Sequence, residues 1–301
     1  LEEEVKKVNL ELERKNVELQ NSLAQREALE REVLQARTMA ALGEMSATVA
    51  HEIRNPLGAM GMWAGLLERD MDPQDPKRKT LGKITDGLAK LNKIVTNLLV
   101  YTRPIATEFR KVRLDALLEE IVDFTEIQID RLGRKVSVEE GFDCTDALFV
   151  KADPEKLNQA VINLCLNAVQ AMEDGGRLCV GLSRAGKGGV GGDGGISANN
   201  MGIGINANSG KTNAVGVDVH HKELIDNGEY AVFSIADTGS GIGGEHIAKI
   251  FDPFFTTKED GTGLGLAIVK KIIESHMGAI EITSEQGVGT QVNCYLPIAA
   301  Q

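Results

Sequence analysis

The stretch ATVAHEIRNPL (47–57) sets His51 beside Glu52, with Asn55 one helical turn on and Pro56 directly after it. An imidazole is a nucleophile, and an adjacent carboxylate can hold its tautomer or take its proton. Asn55, at i+4, shares the histidine's face if the segment is helical. Pro56 lacks the amide that would bond to the carbonyl of Glu52, so a kink is expected just beyond the histidine. With Leu42, Met45, Val49, Pro56 and Met60 taken as a buried stripe, His51 lies about 200° round the helix from Val49, toward solvent. A surface histidine usually does nothing, and the segment alone decides little.

Three further stretches carry chemistry. Asn163 and Asn167 sit at i and i+4 of an apolar helical run that begins at Pro154, so their carboxamides share one face. Such oxygens suit a hard Mg²⁺ that also holds phosphates. ADTGSGIG (236–243) ends an alternating strand in which Phe233, Ile235 and Asp237 share parity, which points Asp237 inward. A buried carboxylate needs a donor, and an adenine amino group would be one. Gly239 and Gly241 allow a close turn around the base. GTGLGLAIVKKI (261–272) places Gly261, Gly263 and Gly265 just ahead of a helix, a backbone nest for phosphate. Thr290 shares parity with Val292, Cys294 and Leu296, so its hydroxyl is expected to face the same site. Each of these pieces also has an ordinary explanation as a cap, a turn or a loop; their order and joint occurrence argue otherwise.

Two other patterns are decoys. SGKT (209–212) lacks the earlier glycine of a phosphate-binding P-loop, because Ile205 stands there. His220-His221 has no further ligands at metal spacing.

The elements that must present these residues follow from patterning. Residues 1–37 are rich in Glu, Lys, Arg and Leu, without Gly or Pro. Heptad positions can be set throughout, interrupted by Lys15, Ser22 and Arg26, which predicts an imperfect coiled coil. Near-heptad spacing continues to about Asp70. MDPQDPK (71–77) is a turn with helix-capping aspartates, and Leu81, Ile84, Leu88, Leu91, Val95 and Leu98 form a second stripe. Two such helices make an antiparallel hairpin with an incomplete core, which predicts a homodimeric four-helix bundle. Beyond 104, strands are expected near 108–113, 135–140, 147–151, 177–183, 229–237, 279–284 and 289–297. Helices are expected near 115–131, 154–173 and 264–276. This is an α+β sandwich. The Gly- and Asn-rich residues 184–228 are expected to be a disordered insertion.

Composition sets bounds. The chain has 301 residues, enough for about two domains. A net charge of -11 argues against nucleic acid as the main partner. The four cysteines lack metal spacing and suggest free buried thiols in a reducing compartment. No apolar run is long enough to span a membrane and no signal peptide is present, so a cytoplasmic location is expected for this piece. The start at Leu1, inside a helical pattern, suggests a fragment whose upstream sensor region is missing, with membrane anchoring of the full-length protein left open.

Taken together, the chain resembles the sensor histidine kinases of two-component systems. HEIRNPL resembles the H-box, NQAVINLCLNAVQAM (158–172) the N-box, DTGSGIG the G1 box, IFDPFFTTK (250–258) the F-box and GTGLGL the G2 box. The short interval between Phe255 and Gly261 resembles kinases with a compact ATP lid, as in nitrogen-regulation sensors. The resemblance implies a coiled-coil signalling helix (1–37), a dimerisation and histidine phosphotransfer domain (38–104) and a Bergerat-fold ATP-binding domain (105–301). It implies ATP and Mg²⁺ as cofactors, a homodimer, and the receiver domain of a response regulator as partner.

By residue, the resemblance implies His51 as phospho-acceptor with Glu52 assisting and Asn55 serving a phosphatase activity. Asn167 corresponds to the Mg²⁺ ligand, Asn163 to its support, and Asp237 to the adenine-reading carboxylate assisted by Thr290. Gly239, Gly241, Gly261, Gly263 and Gly265 shape pocket and lid, Phe251 and Phe254 pack the lid, and Lys258 reaches phosphate. Many relatives carry a basic residue three positions after the Mg²⁺ asparagine, where this chain has Gln170. Two rivals are a clamp ATPase of the same superfamily, disfavoured by the H-box hairpin, and a degenerate dimer scaffold, disfavoured by Asn167, Asp237 and the G2 glycines.

Overall fold

The computed structural model describes residues 52–72, 74–102, 107–143, 147–185, 213–215, 229–258 and 261–299, together with Lys15, Ser22 and Arg26, which are helical and exposed. The rest of the expected coiled coil lies outside the described residues, as do His51, the SGKT stretch and His220-His221. The chain divides into two compact units, Leu1–Arg103 and Pro104–Gln301.

In the first unit, helix α1 (52–70) and helix α2 (Lys77–Thr102) are joined by a tight turn. Asp72 and Asp75 shape that turn: their Oδ1 atoms accept from the backbone N–H of Gln74 and Lys77, each at 2.8 Å. Asp75 thereby satisfies one of the orphan donors that open α2. The helices run antiparallel, since Arg54 donates to the Thr96 hydroxyl at 3.5 Å and Arg78 pairs with Glu68 at 3.8 Å. Leu57 and Ala64 on α1, and Leu81 and Val95 on α2, are buried.

The inner stripe of α1 differs from expectation. Pro56 and Met60 are exposed, and Leu57 and Ala64 take the inward positions. The cause is that α1 has two apolar seams, and one hairpin can bury only one of them. Helix α1 also runs through Pro56 without a break.

The second unit is a helix layer on a mixed sheet. Its elements are β1 (Arg110–Arg113), α3 (Leu114–Leu132), β2 (Val136–Asp143), β3 (Phe149–Ala152), α4 (Pro154–Ala171), β4 (Gly176–Ala185), β5 (Asn213–Val215), β6 (Tyr230–Asp237), the single turn α5 (Gly244–Ile247), α6 (Gly265–Ser275), β7 (Ala279–Glu285) and β8 (Gly289–Pro297). The six-stranded sheet has the order β2-β4-β6-β8-β7-β5, and a separate antiparallel pair joins β1 to β3. Only β2 and β4 run parallel within the large sheet; its other pairs are antiparallel.

Helices α3, α4 and α6 pack against one another and the sheet. Their inward faces are aliphatic: Leu114, Leu118 and Ile121 on α3, Leu157, Val161 and Leu164 on α4, and Ile268, Ile272 and Ile273 on α6. Asp153 caps α4, accepting from the N–H groups of Glu155 and Lys156, and Pro154 follows at the first helical position. Helix α3 ends at Gly133, whose φ of 63° is the left-handed closure glycine tolerates. Strand β6, buried on both faces, is the spine that carries Asp237 to the sheet's end.

The expected insertion at 184–228 needs correction at its start and within it. Arg184 and Ala185 belong to β4 and pair with Ala231 and Tyr230 of β6. Residues 213–215 form β5, which pairs with β7 at the sheet edge. An Asn-Ala-Val triplet inside a polar, glycine-rich run gives little periodic signal, yet the free hydrogen-bonding edge of β7 is enough to order it as a strand.

Candidate functional site

The site lies where β6 ends against the last turn of α4, the β7–β8 hairpin and the start of α6. Asp237 is only 5% exposed. Its Oδ1 accepts from the N–H of Gly239 at 2.9 Å. Desolvation pushes its pKa up to about 6, against the backbone N–H groups of Gly239 and Thr290 and the charge of Lys258, which pull it down. A carboxylate held so far from water, with acceptor capacity beyond two backbone donors, is built for a further donor.

The turn after Asp237 is pinned to α4. Ser240 donates its N–H to the carbonyl of Ala171 at 3.1 Å, and a Cβ on Gly239 would meet that same carbonyl at 2.7 Å. Gly241 has φ of 65°, and a side chain there would strike the backbone carbonyl of Glu285. The two glycines are therefore required by close approach on two sides.

Thr290 stands opposite Asp237 in the β6–β8 register and is buried. Its hydroxyl lies 2.9 Å from that of Ser284. Ser284 uses its own proton on the carbonyl of Gly289 at 2.9 Å and accepts from the N–H of Ile242 at 2.8 Å. With that proton spent, Thr290 is the donor in the pair, and its free lone pairs remain as an acceptor. Ser284, fully buried, thus ties the glycine turn to the hairpin under the site. It escaped the sequence reading, although its parity with Ile280 and Ile282 was the available signal.

Across the site, Asn163 and Asn167 are half-buried on α4, one turn apart. The amide nitrogen of Asn167 lies 3.7 Å from where a Cβ on Gly265 would be. The N-cap residue of α6, Leu264, gives no side-chain cap to the N–H groups of the first turn. Gly263, at φ of 65°, abuts the backbone of Phe254, and Phe254 donates its N–H to the Gly263 carbonyl at 2.9 Å. Phe254 itself adopts φ of 67°, rare for a side-chain-bearing residue. A Cβ on Gly261 would run into Thr256, and the Gly261 N–H bonds to the carbonyl of Lys258 at 3.1 Å. Lys270 covers the Phe251 ring at 5.4 Å.

Lys258 donates from Nζ to Oε1 of Gln170 at 3.0 Å and lies 3.5 Å from the carbonyl oxygen of Asn167. Lys258 is exposed, and desolvation at the site pushes its pKa down while Asp237 pulls it up. Asp237, Gly239, Gly241, Thr290, Asn167, Gly263, Gly265 and Lys258 are thus linked into one site. Glu52 and Asn55 are exposed on α1, in the other unit. Cys165, Cys179 and Cys294 are buried and form no disulfide, and burial pushes the Cys165 thiol up to about 12. Cys144 lies outside the described residues. Among the described residues no helix is long and apolar enough to cross a membrane, and no cluster of metal-ligating His, Cys, Asp or Glu occurs.

A buried acceptor, a glycine turn with no room for side chains and an uncapped helix start, all on a helix layer over a mixed sheet, define a Bergerat-type ATP-binding fold. Residues 207–300 match the family of histidine kinase-, DNA gyrase B- and HSP90-like ATPases, and residues 41–107 match the His Kinase A phospho-acceptor domain. The chain belongs to the sensor histidine kinases of two-component systems. It is 30% identical over 279 residues to the sensor histidine kinase ZraS of Escherichia coli K12, covering 92% of this chain and 50% of ZraS. The chain therefore spans about half the length of that relative.

Among solved structures, the histidine kinase ThkA in complex with response regulator protein TrrA superposes with a TM-score of 0.53 at 27% identity, covering 87% of this chain and 64% of ThkA. Full-length ShkA in complex with AMPPNP shares the fold, with a TM-score of 0.60 at 24% identity, over 86% of this chain and 46% of ShkA.

Proposed function

We propose that the chain binds ATP in the Asp237 site, transfers the γ-phosphoryl group to His51, and passes it to an aspartate on the receiver domain of a response regulator. The observation that carries this is Asp237: a desolvated carboxylate, flanked by glycines where no side chain fits, at the base of a phosphate-binding helix start. Asp237 accepts from the adenine amino group, and the Thr290 hydroxyl offers a second acceptor. The N–H groups opening α6 and the Lys258 ammonium receive phosphate oxygens. Asn167, supported by Asn163, would hold Mg²⁺ through its amide oxygen, and that site would supply charge neutralisation for the phosphates. The matching families and the ThkA–TrrA complex support both the acceptor assignment and the regulator as partner.

On the acceptor side, His51 is the nucleophile and Glu52 the group that orients it or takes its proton. Asn55, exposed one turn on, orients water for hydrolysis of the regulator's aspartyl phosphate. Asn55→Ala is expected to keep autophosphorylation within a few-fold while that phosphate becomes long-lived; joint loss of stability and all activities would make Asn55 structural instead. For the pocket, Asn167→Asp is expected to lower autophosphorylation by about an order of magnitude or more, because misplacing the metal costs transition-state stabilisation. A near-wild-type rate in a labelled-ATP assay would remove Asn167 from the site.

The hairpin works as a homodimer. Ile53, Met60 and Leu67 on α1 and Ile84 and Leu91 on α2 recur at seven-residue spacing and are exposed in the single chain. A second copy laid on this seam completes a four-helix bundle.

A further inference from the structure

Helix α4 carries Lys156 in its first turn, and from Asn158 to Ala171, the turns that bear Asn163 and Asn167, it contains no basic residue. The cation arrives from the other wall. Lys258 is held at two points. Its backbone sits in a turn closed by Thr256, whose hydroxyl accepts from the Lys258 N–H at 3.1 Å. Its ammonium reaches Oε1 of Gln170 at 3.0 Å and the Asn167 carbonyl at 3.5 Å. Both acceptors belong to the last turns of α4, where the helix dipole favours a cation.

An ammonium has three N–H donors, and among the described residues these contacts use two of them. It lies on the exposed rim of the site, within electrostatic reach of Asp237. One of its acceptors is the backbone of the residue whose side chain is assigned to the metal. A phosphate oxygen lying near the Asn167 amide would therefore meet this ammonium.

We propose that Gln170 is a positioning residue that docks Lys258 onto α4, and that the pair supplies the cation for the terminal phosphates of ATP. The proposal rests on the nucleotide reading above. Gln170 contributes an acceptor at the one point where the lysine would otherwise wander in solvent. It touches the lysine and leaves the nucleotide to it.

Competition of ATP, ADP and adenosine against a fluorescent trinitrophenyl-ATP probe, with Mg²⁺ and the full chain, tests this by affinity and needs no kinase turnover. Lys258→Ala is expected to weaken ATP about tenfold or more and leave adenosine unchanged, since only the phosphates meet the cation. Gln170→Met, close in shape but without the acceptor, is expected to weaken ATP by roughly three-fold, again sparing adenosine. The double variant Gln170→Lys with Lys258→Ala moves the cation onto α4 and is expected to recover most of the ATP affinity. Lys258→Ala binding ATP as the wild type does would overturn the proposal, as would a Gln170→Met loss shared equally by adenosine, or a double variant no better than Lys258→Ala. Wild-type protein that binds neither ATP nor adenosine would sink the nucleotide reading, and the proposal with it.

Discussion

Asp237 is costly to the folded chain as well as useful to it. Burial raises its carboxyl from the ordinary 3.8 to about 6, a difference worth roughly 3 kcal/mol at most. The sign follows from linkage: the native state binds the proton more tightly than the unfolded chain. The penalty is fully present above about pH 6 and fades as pH falls toward 4. Asp237→Asn is therefore expected to stabilise the nucleotide-free protein at pH 8 by about 1–3 kcal/mol, with the gain vanishing near pH 4. The same variant is expected to lose ATP binding. Denaturant unfolding at the two pH values checks it; equal effects at both would show that the carboxylate is not desolvated. Asp237 itself was legible from strand parity, which puts it on the same face as Phe233 and Ile235, although β6 is buried on both faces. Gln170 was not: its partner lies 88 residues away in sequence, and no local pattern records which side chain a long lysine will reach.

At the scale of elements, the hairpin carries a surface that one chain cannot cover. Leu91 is 49% exposed and Leu67 59% exposed, on helices whose neighbouring seam is already buried. Leu91→Asp places a charge on the open seam and leaves Leu57, Ala64, Leu81 and Val95 in place. It is expected to convert a dimer to a monomer in sedimentation experiments, with a loss of association of several kcal/mol, since a buried unpaired carboxylate would otherwise result. A dimer of unchanged affinity would place the interface elsewhere. The helices and strands of the second unit were legible within one to three residues, because their apolar periods are long and their caps clear: Asp153-Pro154 opens α4 and Gly133 closes α3. Spacing alone did not separate the seam of α1 that packs within the hairpin from the one left open in the single chain, because two overlapping heptad seams look alike until a partner helix chooses one. Strand β5 was missed because its order comes from the edge of β7 and from nothing in its own three residues.

In the whole molecule the proposed reaction is divided between the two units. The nucleotide site lies in Pro104–Gln301, and the acceptor segment in Leu1–Arg103. In the proposed reaction the γ-phosphoryl group of ATP crosses from one to the other and comes to rest on His51. Incubation with γ-labelled ATP and Mg²⁺, followed by acid and alkali treatment, tests this directly. A phosphoramidate on imidazole is expected to survive alkali and to be lost in acid, and His51→Gln is expected to carry no label while still binding ATP. Label that resists acid, or that persists in His51→Gln, would contradict the account.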